Sequence, residues 1–281
     1  MKIKAHAKIN LSLAITNKRE DGYHDIKTIM VPIALHDLLY IDTIPEGIVI
    51  GTNSLIMPTD ERNIIYKIIA YMQSKYNIRK GVKVFVYKHI PMQAGLAGGS
   101  TDGAAVIRAV NQLFRLHLST QEMMQLGREI GADIPFCVYG KKALVQGIGE
   151  KIIPISQSLR ARILLVKPKK GVSTKKAFAN VKLNPTPYDH IEAMKQAIKE
   201  NRYKEIVTHL HNDLEVPSKA IVPEIEEIKQ TLLALGFDGA LMSGSGSCVF
   251  GITRNKLVLE KGYQFYRRKK IFVCKSKIIN K

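Results

Sequence analysis

Residues 90–105 read I-P-M-Q-A-G-L-A-G-G-S-T-D-G-A-A, with Gly95, Gly98, Gly99 and Gly103 crowded around the hydroxyls of Ser100 and Thr101. An alternating apolar segment, V-K-V-F-V-Y-K-H-I, leads in, and an alanine-rich helical pattern leads out. Glycine lets backbone adopt positive φ and approach a ligand closely. The N–H groups of such a loop and of the helix start converge on one spot, which attracts an anion, most often phosphate. The loop is not a Walker A sequence, since no lysine precedes Ser100, and it is not G-x-G-x-x-G. On its own it reads equally well as a glycine-rich helix entry without a ligand.

The chain has 281 residues, enough for one large or two ordinary domains. Its balance of 46% hydrophobic and 24% charged residues is that of a globular enzyme. No apolar run reaches the ~20 residues of a membrane span, and the N-terminus carries no signal-peptide pattern, so no membrane partner is expected. Cys137, Cys248 and Cys274 are scattered and form neither metal spacing nor a disulfide framework, which points to a reducing, cytoplasmic setting. The net charge of +19 suggests polyanionic partners, either nucleic acid or phosphorylated small molecules. No segment interleaves aromatic and basic side chains as single-strand binders do, so small molecules are the expected partners and nucleic acid is not.

Outward from the loop, residues 2–13 alternate apolar and polar and predict a strand with one buried face, Lys8 and Asn10 lying on the other. A turn at Asp21-Gly22 precedes Tyr23 and His24. Strands are predicted over 28–35 and 38–43 with His36-Asp37 between them. An amphipathic helix is predicted over 61–76, and the helix after the glycine loop from Thr101 or Asp102 to about Leu116. Ser119 and Glu122 form a capping box for a helix ending near Gly131. Asp133 then sits in G-A-D-I-P-F, where an acid either caps local N–H groups or does acid–base chemistry, and the pattern leaves both open. A strand at 143–145 follows, and a domain boundary falls near residue 157. Beyond it come a strand at I-L-L-V-K-P, a helix entered at 171–174 that carries Phe178, and two helices around 188–210. A helix over 223–235 follows, then a strand–turn–strand through M-S-G-S-G-S and a last strand at 271–274. Strands and helices interleave without a steady βαβ rhythm, which favours α+β layers.

Taken together, A-K-I-N-L, the glycine–serine loop and M-S-G-S-G-S, in that order, resemble the GHMP kinase superfamily. D-G-Y-H-D-I, G-A-D-I-P-F-C and the G-I-G-E turn resemble its cytidine-recognising branch, and the match runs the length of the chain. The resemblance implies a two-domain α+β GHMP kinase fold. Residues 1–157 would form an ATP-binding half like ribosomal protein S5 domain 2, and 158–281 a ferredoxin-like half. It implies transfer of the ATP γ-phosphate to the 2-hydroxyl of diphosphocytidyl-methylerythritol, by a monomer or weak dimer in the cytoplasm.

By match to that family, Asp133 would take the hydroxyl proton and Lys8 would be its partner. Pro91, Met92, Gln93, Ala94, Gly95, Leu96, Ala97, Gly98, Gly99, Ser100 and Thr101 would wrap the ATP phosphates, with Asn63 and Lys88 approaching the nucleotide. Asn10 would bind the substrate near its reacting hydroxyl, Tyr23 would stack on cytosine, His24 would read its edge and Phe178 would supply a second stacking face. Mg²⁺ would arrive with ATP, held by phosphate oxygens and water, with Ser100 the side chain that could join them. Gly103 replaces the family's usual alanine, at an expected cost in the helix's first turn. The rival readings are a homoserine- or mevalonate-type kinase, whose acceptors offer Tyr23 no base, a basic nucleic-acid binder, and an inactive nucleotide sensor, against which stand both Lys8 and Asp133.

Overall fold

The structure is a computed structural model and describes residues 1–181 and 189–280. Contacts group the chain into two compact units. Met1–Ala7, His36–Ile90 and Ala97–Gly140 make the first; Lys8–Leu35, Pro91–Leu96 and everything from Lys141 onward make the second. The units interleave along the sequence, and β1 (Lys2–Lys18) and β2 (His24–Ile44) each contribute to both.

In the first unit β3 (Ile48–Thr52) runs parallel to β4 (Gly81–Tyr87), and β4 pairs antiparallel with β2 in the register Leu38↔Tyr87 and Tyr40↔Phe85. One face of these strands is core: Leu39, Ile41, Val82, Val84 and Val86 are buried. Four helices complete the unit: α1 (Ile64–Lys75), α2 (Gly98–Leu113), α3 (Thr120–Arg128) and α4 (Ile134–Tyr139). Helix α1 buries Ile65, Ile68, Ile69 and Met72, the i, i+3, i+4 stripe that its sequence predicts. The Ser119–Glu122 capping box is formed in full.

Three expectations change here. Strand β2 is continuous, and His36-Asp37 lies inside it rather than between two strands. Strand β3 was not legible as a strand. Helix α2 starts at Gly98, three residues before Thr101, because Ala97 takes a left-handed conformation (φ 57°, ψ 32°) that turns the loop directly into the helix. Gly103 therefore lies in the second turn. A Cβ there would come 2.6 Å from Ile68 Cδ1, so glycine gains close packing of α2 against α1 in exchange for helix propensity.

In the second unit β1 pairs parallel with β8 (His211–Asn212), and the first part of β2 pairs with β5 (Ala143–Gly147), which pairs with β6 (Lys151–Pro154). A separate antiparallel sheet has the order β11-β7-β10-β9, from β7 (Arg162–Lys167), β9 (Gly239–Met242), β10 (Val249–Thr253) and β11 (Phe272–Lys277). Its core includes Ile163, Leu164, Leu165 and Val166, a run buried on both faces. Helices α9 (Glu224–Ala234) and α10 (Lys256–Arg267) pack on this sheet. Helices α5 (Thr174–Ala179), α6 (Asp189–Lys199), α7 (Tyr203–Thr208) and α8 (Glu215–Ile221) make up the rest. Of the helical region expected from residue 188, that first residue lies outside those described. Strands β6 and β8 and helices α8 and α10 were not anticipated.

Strand β1 departs most from its alternating pattern. From Ala7 to Leu13 every residue is buried, Lys8 and Asn10 included. The face that looked exposed is interior.

Candidate active site

In the second unit β1 carries a buried polar side. Lys8 is 4% exposed, and its ammonium donates to Asn10 Oδ1 at 2.7 Å and to the Gly95 carbonyl at 3.1 Å. Asn10 Nδ2 donates to Thr28 Oγ1 at 2.9 Å, and that hydroxyl donates to the Ser12 carbonyl at 2.6 Å. Each polar group is thereby held by the next. Both Lys8 acceptors are neutral, so the ammonium is desolvated without a counter-charge among the hydrogen bonds it makes in this unit.

Segment 91–96 is strapped to the M-S-G-S-G-S turn. Ser247 N–H donates to Gln93 O at 3.3 Å, Cys248 N–H to Ala94 O at 3.2 Å, and Ser243 Oγ to Gly95 O at 3.0 Å. Gly95 has φ +71°, and a Cβ on it would drive into the Ser243 carbonyl, so only glycine fits. Asn212 Nδ2 braces the turn from β8 by donating to the carbonyls of Met242 and Gly244. Asn212, which the sequence reading did not single out, thereby holds the turn to which Ser243 belongs.

The residues expected to meet a base also lie in this unit. The His24 and Phe178 rings are 5.4 Å apart at 38°, while Tyr23, 59% exposed, presents its ring to solvent. Burial, helped by the charge of Lys18, holds the His24 imidazole below its ordinary value and favours the neutral ring. A neutral imidazole can both donate and accept at a base edge.

In the first unit, α2 opens with Gly98, Gly99 and Ser100, whose N–H groups precede the helical bond ladder that begins with Thr101 N–H to Ala97 O. The Thr101 hydroxyl is committed to the His6 carbonyl at 2.6 Å. Beneath this helix start lies a buried ion cluster. Lys88 Nζ donates to Asp37 and to Asp102 Oδ2, the latter at 2.7 Å, and Asp37 Oδ1 also accepts the N–H groups of His89 and Ile90. Burial opposes the Lys88 charge, but the two carboxylates outweigh it and hold the ammonium above its ordinary range. Burial, reinforced by the Asp37 charge and only partly offset by Lys88, pushes the Asp102 carboxyl up to about 8. Lys88 is thus occupied by two acids, and neither partner was singled out in the sequence.

Asn63 is the N-cap of α1: its Oδ1 accepts Ile65 N–H at 2.9 Å and its Nδ2 donates to Pro58 O at 2.5 Å, which engages both side-chain functions. Asp133 occupies the N-cap position of α4 but makes no capping bond, and its carboxylate is half-buried. Between the two readings of this acid, the cap is excluded. Among the described residues no group of three or more His, Cys, Asp or Glu could hold a metal ion, and no helix is long and apolar enough to cross a membrane.

The sequence matches the GHMP kinases N terminal domain over residues 63–141 and the GHMP kinases C terminal domain over 194–270. It is 43% identical to the 4-diphosphocytidyl-2-C-methyl-D-erythritol kinase of Caldicellulosiruptor bescii, over 97% of this chain and 95% of that protein. It is 40% identical to the enzyme of the same name from Bacillus subtilis, over 94% and 92% respectively. The fold matches a crystal structure of 4-(cytidine 5′-diphospho)-2C-methyl-D-erythritol kinase with a TM-score of 0.81 at 28% identity, covering 99% of both chains. The chain belongs to the GHMP kinases, in the branch of the 4-diphosphocytidyl-2-C-methyl-D-erythritol kinases, and has their two-domain fold of mixed α and β content.

Proposed function

We propose that this chain transfers the γ-phosphate of ATP to the 2-hydroxyl of 4-diphosphocytidyl-2-C-methyl-D-erythritol, a step in the non-mevalonate route to isopentenyl diphosphate. ATP as co-substrate follows from the kinase family. The observation that carries the reading is Lys8: a buried ammonium with three donors and two neutral acceptors, beside the carbonyl of the glycine loop. A phosphoryl oxygen supplies both the missing acceptor and the missing negative charge.

In this mechanism the acceptor hydroxyl oxygen attacks the γ-phosphorus, the bond to the ADP oxygen breaks, and the hydroxyl proton passes to Asp133. Phosphoryl transfer runs through a loose transition state, so alignment and charge stabilisation dominate. Asp133 orients the hydroxyl and takes its proton late. Lys8 offsets charge on the transferring group, and Asn10, locked by Thr28, holds the substrate near the reacting oxygen. Residues 91–101 receive the triphosphate through backbone N–H groups. Asn63 and Lys88 act on the nucleotide through the backbone they brace. Tyr23 stacks on cytosine, with His24 at its edge and Phe178 behind His24.

Magnesium arrives with the nucleotide. The Ser100 hydroxyl, third in α2, would be the protein oxygen beside it, and the ion would neutralise phosphate charge. Residues 1–157 and 158–281 form the ATP-binding and C-terminal halves, each holding one of the matched segments. The enzyme works in the cytoplasm, a setting its three free cysteines suit, as a monomer or weak dimer. Transfer from γ-labelled ATP to a panel of the cytidyl alcohol, mevalonate and homoserine tests the assignment. Turnover of either of the last two with none of the first overturns it.

A further inference from the structure

We infer that the outward face of the first unit's strands is a docking platform for single-stranded nucleic acid, separate from the kinase residues. The inward face of β2 and β4 is core, but the outward face carries Tyr40, Phe85 and Tyr87 side by side. Tyr40 is paired with Phe85 across the two strands, and Tyr87 follows two positions along β4. Tyr40 meets Tyr87 edge to face at 5.8 Å and 74°, and Phe85 lies tilted against Tyr87 at 4.8 Å and 54°. Tyr40 and Tyr87 are nonetheless each 43% exposed. A solvent-facing aromatic row on a sheet gives bases a surface to stack on, and such stacking is indifferent to sequence because every base has a π-face.

Charge decides which partner fits. Lys2 Nζ lies 5.7 Å from the Tyr40 ring centroid, and Lys4 and Lys83 are exposed on β1 and β4 of the same unit. A depression of about 460 Å³ between Lys2, Tyr40, Lys83 and Phe85 has mostly apolar walls and cationic rims. Asp42, opposite Lys83 in the register, is the acid at its edge. Aromatic floor and lysine rim together match a base carried on a phosphate backbone better than they match an apolar protein surface. In the sequence these residues are scattered over positions 2 to 87, so no linear aromatic–basic stripe exists; strand pairing assembles it. The platform also gives part of the +19 net charge a task that a small-molecule kinase does not require.

The test uses the full chain and fluorescein-labelled 12-mers of oligouridylate and oligothymidylate, read by fluorescence anisotropy across a salt series. Binding at low salt is expected, weakening steeply as salt rises. Tyr40→Ala and Tyr87→Ala should each weaken it by at least about fivefold, since stacking contributes that much per base or more. Tyr87→Phe should keep near wild-type affinity, and Lys83→Glu should weaken binding and flatten the salt dependence. All four variants should keep wild-type kinase turnover, which also reports that they fold. Crosslinking of a 4-thiouridine oligonucleotide to the wild-type chain should label peptides bearing Tyr40, Phe85 or Tyr87, a readout independent of any substitution. No binding at low salt overturns the platform. So does binding that ignores the tyrosine variants, which would trace it to net charge alone, or displacement of the oligonucleotide by ATP or a cytidine nucleotide, which would trace it to the kinase site.

Discussion

Gly95→Ala probes the joint on which the proposed nucleotide loop depends. The residue sits at φ +71°, where a side chain costs about 1 kcal/mol or more over glycine. The new Cβ would run into the Ser243 carbonyl, and it would sit 2.9 Å from both Ser243 C and Gly246 N. These are backbone atoms and cannot rotate aside, so the loop must shift from the turn. Shifting it stretches the bonds from Lys8 Nζ and Ser243 Oγ to Gly95 O and the neighbouring bonds to Gln93 O and Ala94 O. Losing two of them at about 1 kcal/mol each brings the total to about 3 kcal/mol.

Gly47→Ala is the matched control. Gly47 has φ +78° but nothing within 4 Å of the added Cβ, so only the backbone cost applies, about 1 kcal/mol. By urea titration Gly95→Ala should lose about 2 kcal/mol more stability than Gly47→Ala, the difference between those two sums. Because a displacement of about 1 Å in a positioning element can cost about a hundredfold in rate, its kcat/KM for ATP should fall by about that factor, while Gly47→Ala stays near wild type. Equal stability losses in the two variants, or a Gly95→Ala enzyme within about twofold of wild type, would show that the strap does not position the loop.

Asp133→Asn should retain ATP binding by calorimetry and lose at least about a hundredfold in kcat, the ordinary contribution of a positioned base; near-normal turnover would remove this acid from the chemistry. Tyr23→Ala should raise KM for the cytidyl alcohol by about tenfold or more while leaving KM for ATP within about twofold, and equal effects on both would argue against base stacking. The Asp102 carboxyl, held at about 8 in the fold against 3.8 in the open chain, binds its proton more tightly when folded. The folded state therefore holds more protons between those values, and stability falls as pH rises through that window. Asp102→Asn cannot ionise, so in thermal melts its Tm should gain on wild type as pH rises from about 4 to about 8; a difference that does not change with pH would refute the burial of an ionisable carboxyl there.

Local chemistry made some of this architecture legible and hid the rest. The capping box, the α1 stripe and the glycine loop depend on neighbours within a few residues, and their sequence patterns correspond to what forms. Lys8 and Asn10 were placed on an outward face because period-two alternation cannot say whether the polar side of a strand is wet or covered. Here both sides of β1 are interior and hydrogen bonds take the place of water. The same blindness hid Asp37, which looked like a break between two strands. Its carboxylate accepts from Lys88, His89 and Ile90, fifty residues on, and this lets the acid stay inside a continuous strand. Helix α2 began early for a reason no propensity scale contains, since a left-handed alanine opens it.

The Gly95 carbonyl draws these observations into one constraint. It accepts from Lys8 Nζ and from Ser243 Oγ, so one oxygen ties an ammonium from β1, the loop proposed to cradle phosphate and the turn between β9 and β10. A carbonyl has two lone pairs, and both are used. The ammonium cannot swing toward an arriving phosphate without giving up a bond to the loop that receives it, so charge and cradle are positioned together. This accounts for glycine at 95, where any Cβ would push the carbonyl's segment off the turn. It also accounts for a second chain element, Asn212, being spent on holding the turn's own carbonyls still. The lysine, the glycine and the C-terminal serine turn, read from the sequence as three separate motifs, are one hydrogen-bonded object.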